Sequence, residues 1–92
     1  MRCIEFKTSF DGTYKKLATE DQLKVDEAID ELLDCLERGD MVRRLGLKRL
    51  QADEWEIRVD IRLRVGFRMS KNRIEFGIVG SHDAIKKFLK NL

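Results

Sequence analysis

From position 55 to position 69 every odd residue is apolar and every even one is charged or glycine. Trp55, Ile57, Val59, Ile61, Leu63, Val65, Phe67 and Met69 alternate with Glu56, Arg58, Asp60, Arg62, Arg64, Gly66 and Arg68. A period of two marks β-strands with one buried face. The run is too long for one strand, so it predicts two, joined by a tight turn near residues 60–61. Ser70, Lys71 and Asn72 predict a second turn. Ile74, Phe76 and Ile78 then alternate again, in a strand ending at Gly80. Residues 2–7 alternate too and predict a strand that buries Cys3 or Ile4 with Phe6.

Between these strands the period changes to 3.6. Val25, Ala28, Ile29, Leu32, Leu33 and Leu36 fall on one stripe, and six acidic residues cover the rest. This predicts a helix with Thr19 as its N-cap, Gln22 completing a capping box, and Gly39 at its C-terminal end. Residues 9–12 read as a turn, followed by a short helix over 13–18 that buries Tyr14 and Leu17. Residues 40–54 read as a long basic connection containing Arg43, Arg44, Lys48 and Arg49, with 51–54 as a polar turn. Ser81 is placed to cap a last helix with an apolar stripe of Ile85, Phe88, Leu89 and Leu92. The order is β-α-α-β-β-β-α. It predicts a single α+β domain over 1–92: an antiparallel sheet, two N-terminal helices on one face, and a short C-terminal helix.

Composition narrows the class. The chain has 92 residues, 42% hydrophobic and 39% charged, with no proline. That is a soluble globular composition. The N-terminus carries charges where a signal peptide needs an apolar run, and no stretch approaches the roughly 20 apolar residues of a membrane span. The expected location is the cytoplasm. Cys3 and Cys35 lie in apolar-patterned segments without metal-type spacing and read as buried thiols. No metal site or cofactor motif is present in the pattern.

The net charge of +2 conceals an asymmetry. Residues 1–42 carry a net −5, residues 43–73 a net +6. Concentrated positive charge is the footprint of a phosphate-binding surface. The pleat places Arg58, Arg62, Arg64 and Arg68 on one face, away from the core. Arginine offers a planar fork matched to phosphate. Glu56, Asp60 and Glu75 offer partners on the same face, as an ordinary wet sheet face would, but are outnumbered. Gly66 and Gly77 would leave a groove there for a single-stranded RNA backbone. Lys48 precedes the strands and either reaches this face or is a solvated loop lysine. Tyr14 and Trp55 are aromatics able to stack on bases, although Trp55 has the phase of the core. The single histidine, His82, stands at the start of the last helix beside Asp83. It is either a surface capping residue or a proton carrier, since histidine is the side chain suited to acid–base work near neutrality.

These residues resemble a known family. Leu47-Lys48-Arg49-Leu50, Trp55-Glu56-Ile57-Arg58, Leu63-Arg64-Val65-Gly66-Phe67-Arg68 and Ile78-Val79-Gly80-Ser81-His82-Asp83 look like the RelE/ParE toxin superfamily. The element order matches as well, so the resemblance spans nearly the whole chain. It implies the toxin of a bacterial type II toxin–antitoxin pair, with a cognate antitoxin protein as partner. RelE-like members cleave mRNA on the ribosome and stop translation. ParE-like members inhibit DNA gyrase without a nuclease site, and other domains of the fold only bind partners. Carried over by position, the resemblance implies that Arg64 stabilises the scissile phosphate and that His82 stands where some members have a catalytic histidine. Arg58 and Lys48 match basic positions of the family's RNA-binding face, and with Arg49, Arg62 and Arg68 of the basic pattern they make the RNA- and phosphate-binding set. Glu56 stands where RelE has lysine, and Phe88 where it has a functional tyrosine. A histidine-centred, metal-independent endoribonuclease, as in the YoeB and YafQ branches, fits this chain better. In it His82 is the acid, Glu56 the base, and the ribose 2′-OH the nucleophile.

Overall fold

The computed structural model describes residues 3–39 and 46–91. The expected roles of Arg43 and Arg44 in the basic connection, and of Leu92 in the last stripe, lie outside these residues. In chain order the elements are β1 (Cys3–Phe6), α1 (Thr8–Lys15), α2 (Thr19–Arg38), β2 (Lys48–Gln51), β3 (Glu54–Arg58), β4 (Arg64–Met69), β5 (Arg73–Gly80) and α3 (His82–Lys90). The sheet order is β1-β5-β4-β3-β2. Strands β2 to β5 form the antiparallel part, while β1 lies parallel to β5. The sheet is therefore mixed rather than purely antiparallel. No hairpin ties β1 to its neighbour, so α1, α2 and three strands intervene and leave its direction open.

The alternating run folds as its period requires within β3 and β4, whereas Ile61, in the turn between them, is 87% exposed rather than buried. β3 and β4 bury Ile57, Val65 and Phe67 against α1 and α2, with Ile74, Phe76 and Val79 of β5. The turn between them is held by Asp60. Its carboxylate accepts the backbone N–H groups of Arg62 (2.8 Å) and Leu63 (2.9 Å) and the Lys24 ammonium (3.3 Å). The Arg62 bond, with those from Leu63 and Lys24, holds this carboxyl below the usual carboxylate range against the opposing effect of burial. A depressed native value means that the stabilisation is present above the unfolded value of about 3.9 and disappears as pH falls through the native one. Melting temperatures between pH 7 and pH 2 should therefore fall further for the native chain than for Asp60→Ala.

Three local expectations change. Residues 9–12 are helical, because tertiary contacts override their turn-like composition. Phe10 is buried between Phe6 and Phe76, the Ser9 hydroxyl donates to the Gly77 carbonyl, and Val79 N–H donates to the Thr13 hydroxyl. Ala18, not Thr19, is the N-cap of α2, and no side chain caps it; Thr19 is already helical. Gly39 does close α2 in the left-handed region, at φ 78°. Finally, the basic connection contains a strand, β2, with a tight turn through Ala52 at φ 40°. Four residues with one apolar side chain give no readable alternation, and Lys and Arg are what an exposed edge carries. Cys3 is exposed rather than buried, and Cys35 is buried.

Helix α3 lies on the opposite face from α1 and α2. A Cβ at Gly66 would stand 3.2 Å from Ile85, and one at Gly77 would stand 3.1 Å from the Phe88 ring. The two glycines thus let α3 lie close against the sheet, with Ile85 and Phe88 in the groove they leave and a space of about 170 Å³ beside them. Gly77→Val should cost roughly 1–3 kcal/mol by overpacking, read as a lower denaturation midpoint.

Candidate functional site

The register of the sheet assembles the site. Lys48, Glu56, Gly66 and Ile78 stand opposite one another on β2, β3, β4 and β5. One row further, Arg58, Arg64 and Gly80 do the same. Opposed residues project to the same face, here the face crossed by α3. Ser81 caps α3 by accepting the Ala84 N–H (3.1 Å), which places His82 at its first position, two residues beyond Gly80.

Glu56 is the centre of this arrangement. Its side chain is only 6% exposed, and its Oε2 forms an ion pair with Arg64 Nε at 3.2 Å. Arg64 is 14% exposed and also donates to the Asp60 carbonyl (3.3 Å). The other carboxylate oxygen, Oε1, is buried without a hydrogen-bond partner. It lies 3.9 Å from Nδ1 of His82, whose side chain is 41% exposed. Buried acceptors without donors are uncommon and call for an explanation. Here the acceptor faces a half-exposed imidazole beside a guanidinium. The arrangement can take a proton, give a proton, and neutralise anionic charge.

The expected residues do not all gather here. Glu56, Arg64 and His82 come together, with Lys48 in the Glu56 row and Arg58 exposed beside Arg64. Arg68 is on the same face but beyond α3, ion-paired with Glu54 at 3.0 Å. Arg62 sits in the β3–β4 turn and pairs with Asp21 of α2 (3.5 Å). Arg49 is opposite Trp55, on the other face; its guanidinium lies 6.0 Å from the indole centroid and donates to the Ala52 carbonyl. Trp55 packs against the core, as its phase required. Tyr14 does so too, and its hydroxyl donates to Asp26 (2.7 Å). The continuous arginine strip is therefore divided by α3, leaving one basic end next to His82. The burial of Glu56 was not expected from the sequence. Its position opposite a glycine and one row from two arginines was the signal for it. Among the described residues no group of three or more His, Cys, Asp or Glu side chains is placed to hold a metal ion.

No family model matches the chain, and no curated protein matches it in sequence. Solved structures do resemble it. YafQ from E. coli strain BL21(DE3) has a TM-score of 0.68 at 16% identity, over 92% of this chain and 98% of that one. The RelB–RelE antitoxin–toxin complex from Methanococcus jannaschii gives 0.69 at 17% identity, over 91% and 96%. The YoeB dimer from Staphylococcus aureus gives 0.67 at 18%, over 88% and 97%. At such identities the likeness is one of backbone architecture. The α+β arrangement of a mixed open sheet, with α1 and α2 on one face and α3 on the other, is a RelE-like toxin fold.

Proposed function

We propose that this chain is the toxin of a type II toxin–antitoxin pair and that it cleaves mRNA on the ribosome in the cytoplasm. The carrying observation is the meeting of Glu56, Arg64 and His82 around a carboxylate oxygen that lacks a donor. That its structural neighbours are toxins, several of them solved with an antitoxin, supports the toxin role and an antitoxin partner.

The proposed reaction is an internal transesterification. The ribose 2′-oxygen bonds to the adjacent phosphorus, and the bond from phosphorus to the 5′-oxygen breaks. The products are a 2′,3′-cyclic phosphate and a free 5′-hydroxyl. Glu56 Oε1 takes the 2′-OH proton, and a protonated His82 gives one to the departing 5′-oxygen. Oε1 is buried behind the half-exposed His82 side chain, so this role requires that side chain to move when RNA binds. Arg64, with Lys48 and Arg58 beside it, offsets the charge that builds on the phosphate. Arg49, Arg62 and Arg68 act at most as outlying contacts to the RNA backbone.

Adding the purified chain to a translating extract tests this reading. Message ends mapped by primer extension should show new breaks within coding sequence, and gyrase supercoiling should continue. Intact message with blocked supercoiling would replace this reading with a ParE-like one. Intact message with normal supercoiling would leave only partner binding.

A further inference from the structure

We propose that the outer edge of β1, together with the cavity beside Phe6, docks an extended basic segment of a partner protein. In the parallel pairing of β1 with β5, Cys3 N–H donates to the Asn72 carbonyl (2.8 Å) and Lys7 N–H to that of Phe76 (2.9 Å). Alternate residues of a strand direct their backbone groups to opposite sides. The N–H and C=O of Ile4 and Phe6 therefore point outward, and among the described residues no strand pairs with that side. Exposed edges are usually protected by charge, as Lys48 and Arg49 protect β2. β1 carries Glu5 and is followed by Lys7, but on the α1 and α2 face it presents Ile4 and Phe6, each 47% exposed.

The side chain of Phe6 is also the wall of a cavity of about 240 Å³, shared with Phe10, Tyr14 and Ile29 and with the carboxylates Asp11, Asp26 and Asp30. Aromatic faces and carboxylates together attract an ammonium or guanidinium group. A strand added to β1 would gain backbone hydrogen bonds and cover Ile4 and Phe6, and one of its Lys or Arg side chains would enter this cavity. Charge selects the occupant. A second copy paired through β1 would place its own Asp11, Asp26 and Asp30 on the same side of the seam, since opposed residues project to one face. A basic segment meets no such repulsion. The surface belongs to the α1 and α2 face at the opposite edge of the sheet from Lys48, so docking leaves Glu56, Arg64 and His82 uncovered. The inference does not depend on the proposed nuclease activity.

The test is an NMR titration of the whole chain with a capped seven-residue peptide alternating valine and lysine, beside its glutamate counterpart. The lysine peptide should give saturable shifts at Ile4, Phe6, Asp11 and Asp30 that weaken with salt, and the glutamate peptide should give none. Ile4→Pro removes an outward N–H that the added strand would use and should abolish the shifts, while the variant keeps the circular dichroism of the folded chain. Asp11→Asn with Asp30→Asn should weaken binding at least about threefold, as two lost charge contacts imply. No shift at β1, equal binding of the two peptides, or full binding by a folded Ile4→Pro variant would overturn the proposal. A salt-strengthened dimer that Ile4→Pro disperses would overturn it in favour of self-pairing.

Discussion

Arg64→Ala is expected to abolish RNA cleavage and to destabilise the fold at the same time. Arg64 forms the ion pair with Glu56 on a carboxylate that is otherwise walled in. Removing one partner of a buried pair leaves an uncompensated charge, at a cost of about 3–5 kcal/mol. In a domain of this size that lowers the melting temperature by more than roughly 10 °C. Loss of the phosphate contact alone should reduce the rate by about 10²–10³-fold. The two effects separate in a double variant. Arg64→Met with Glu56→Leu replaces the pair by apolar side chains of similar volume, which is often neutral for stability. It should regain most of the melting temperature and none of the cleavage. Recovery of cleavage along with stability would make the pair purely structural.

His82→Gln should give the opposite profile. The side chain is partly exposed and makes no hydrogen bond among the described residues, so stability should change by less than about 0.5 kcal/mol. Glutamine keeps polarity and approximate size but carries no proton at neutral pH. Loss of a general acid reduces rate by about 10²–10⁴-fold. RNA affinity, measured by anisotropy with a 2′-deoxy-substituted RNA that cannot react, should stay within about twofold. A parallel loss of affinity would make His82 a binding residue. Glu56→Gln should also slow cleavage strongly, but it should lower stability as well, because it turns the Arg64 ion pair into a neutral contact.

Much of this architecture was legible in the sequence because one physical rule governed it. The alternation from Trp55 to Met69 fixed two strands and the side their residues face, though Ile61, in the turn between them, is exposed, and the 3.6-residue stripe from Val25 to Leu36 fixed the long helix. The rule was silent where tertiary contacts decide. Thr8 to Gly12 became helical through Phe10 and two hydroxyl bonds to β5, which local composition does not encode. β2 was hidden because an edge strand covered by water has no reason to alternate. The direction of β1 follows from packing alone. At the site, periodicity placed Arg58, Arg64 and Arg68 on one face correctly. It gave no sign that α3 would return across that face, enter the Gly66–Gly77 groove and divide the strip. Arg62 and Arg49 were misplaced for simpler reasons: a turn residue has no pleat to obey, and Arg49 belongs to the strand that was missed. His82 came next to Glu56 because α3 starts two residues after the end of β5, a spacing visible in Gly80-Ser81-His82.

Glu56, Arg64 and His82 are proposed to cleave RNA through its own 2′-hydroxyl. The most direct measurement is the chemistry of the ends made by the purified chain on ribosomes loaded with a defined message. Fragments should end in a 2′,3′-cyclic phosphate and begin with a 5′-hydroxyl, and should form at a rate at least about 100-fold lower with His82→Gln. Fragments ending in a 3′-hydroxyl and beginning with a 5′-phosphate, or equal cleavage by His82→Gln, would contradict this mechanism.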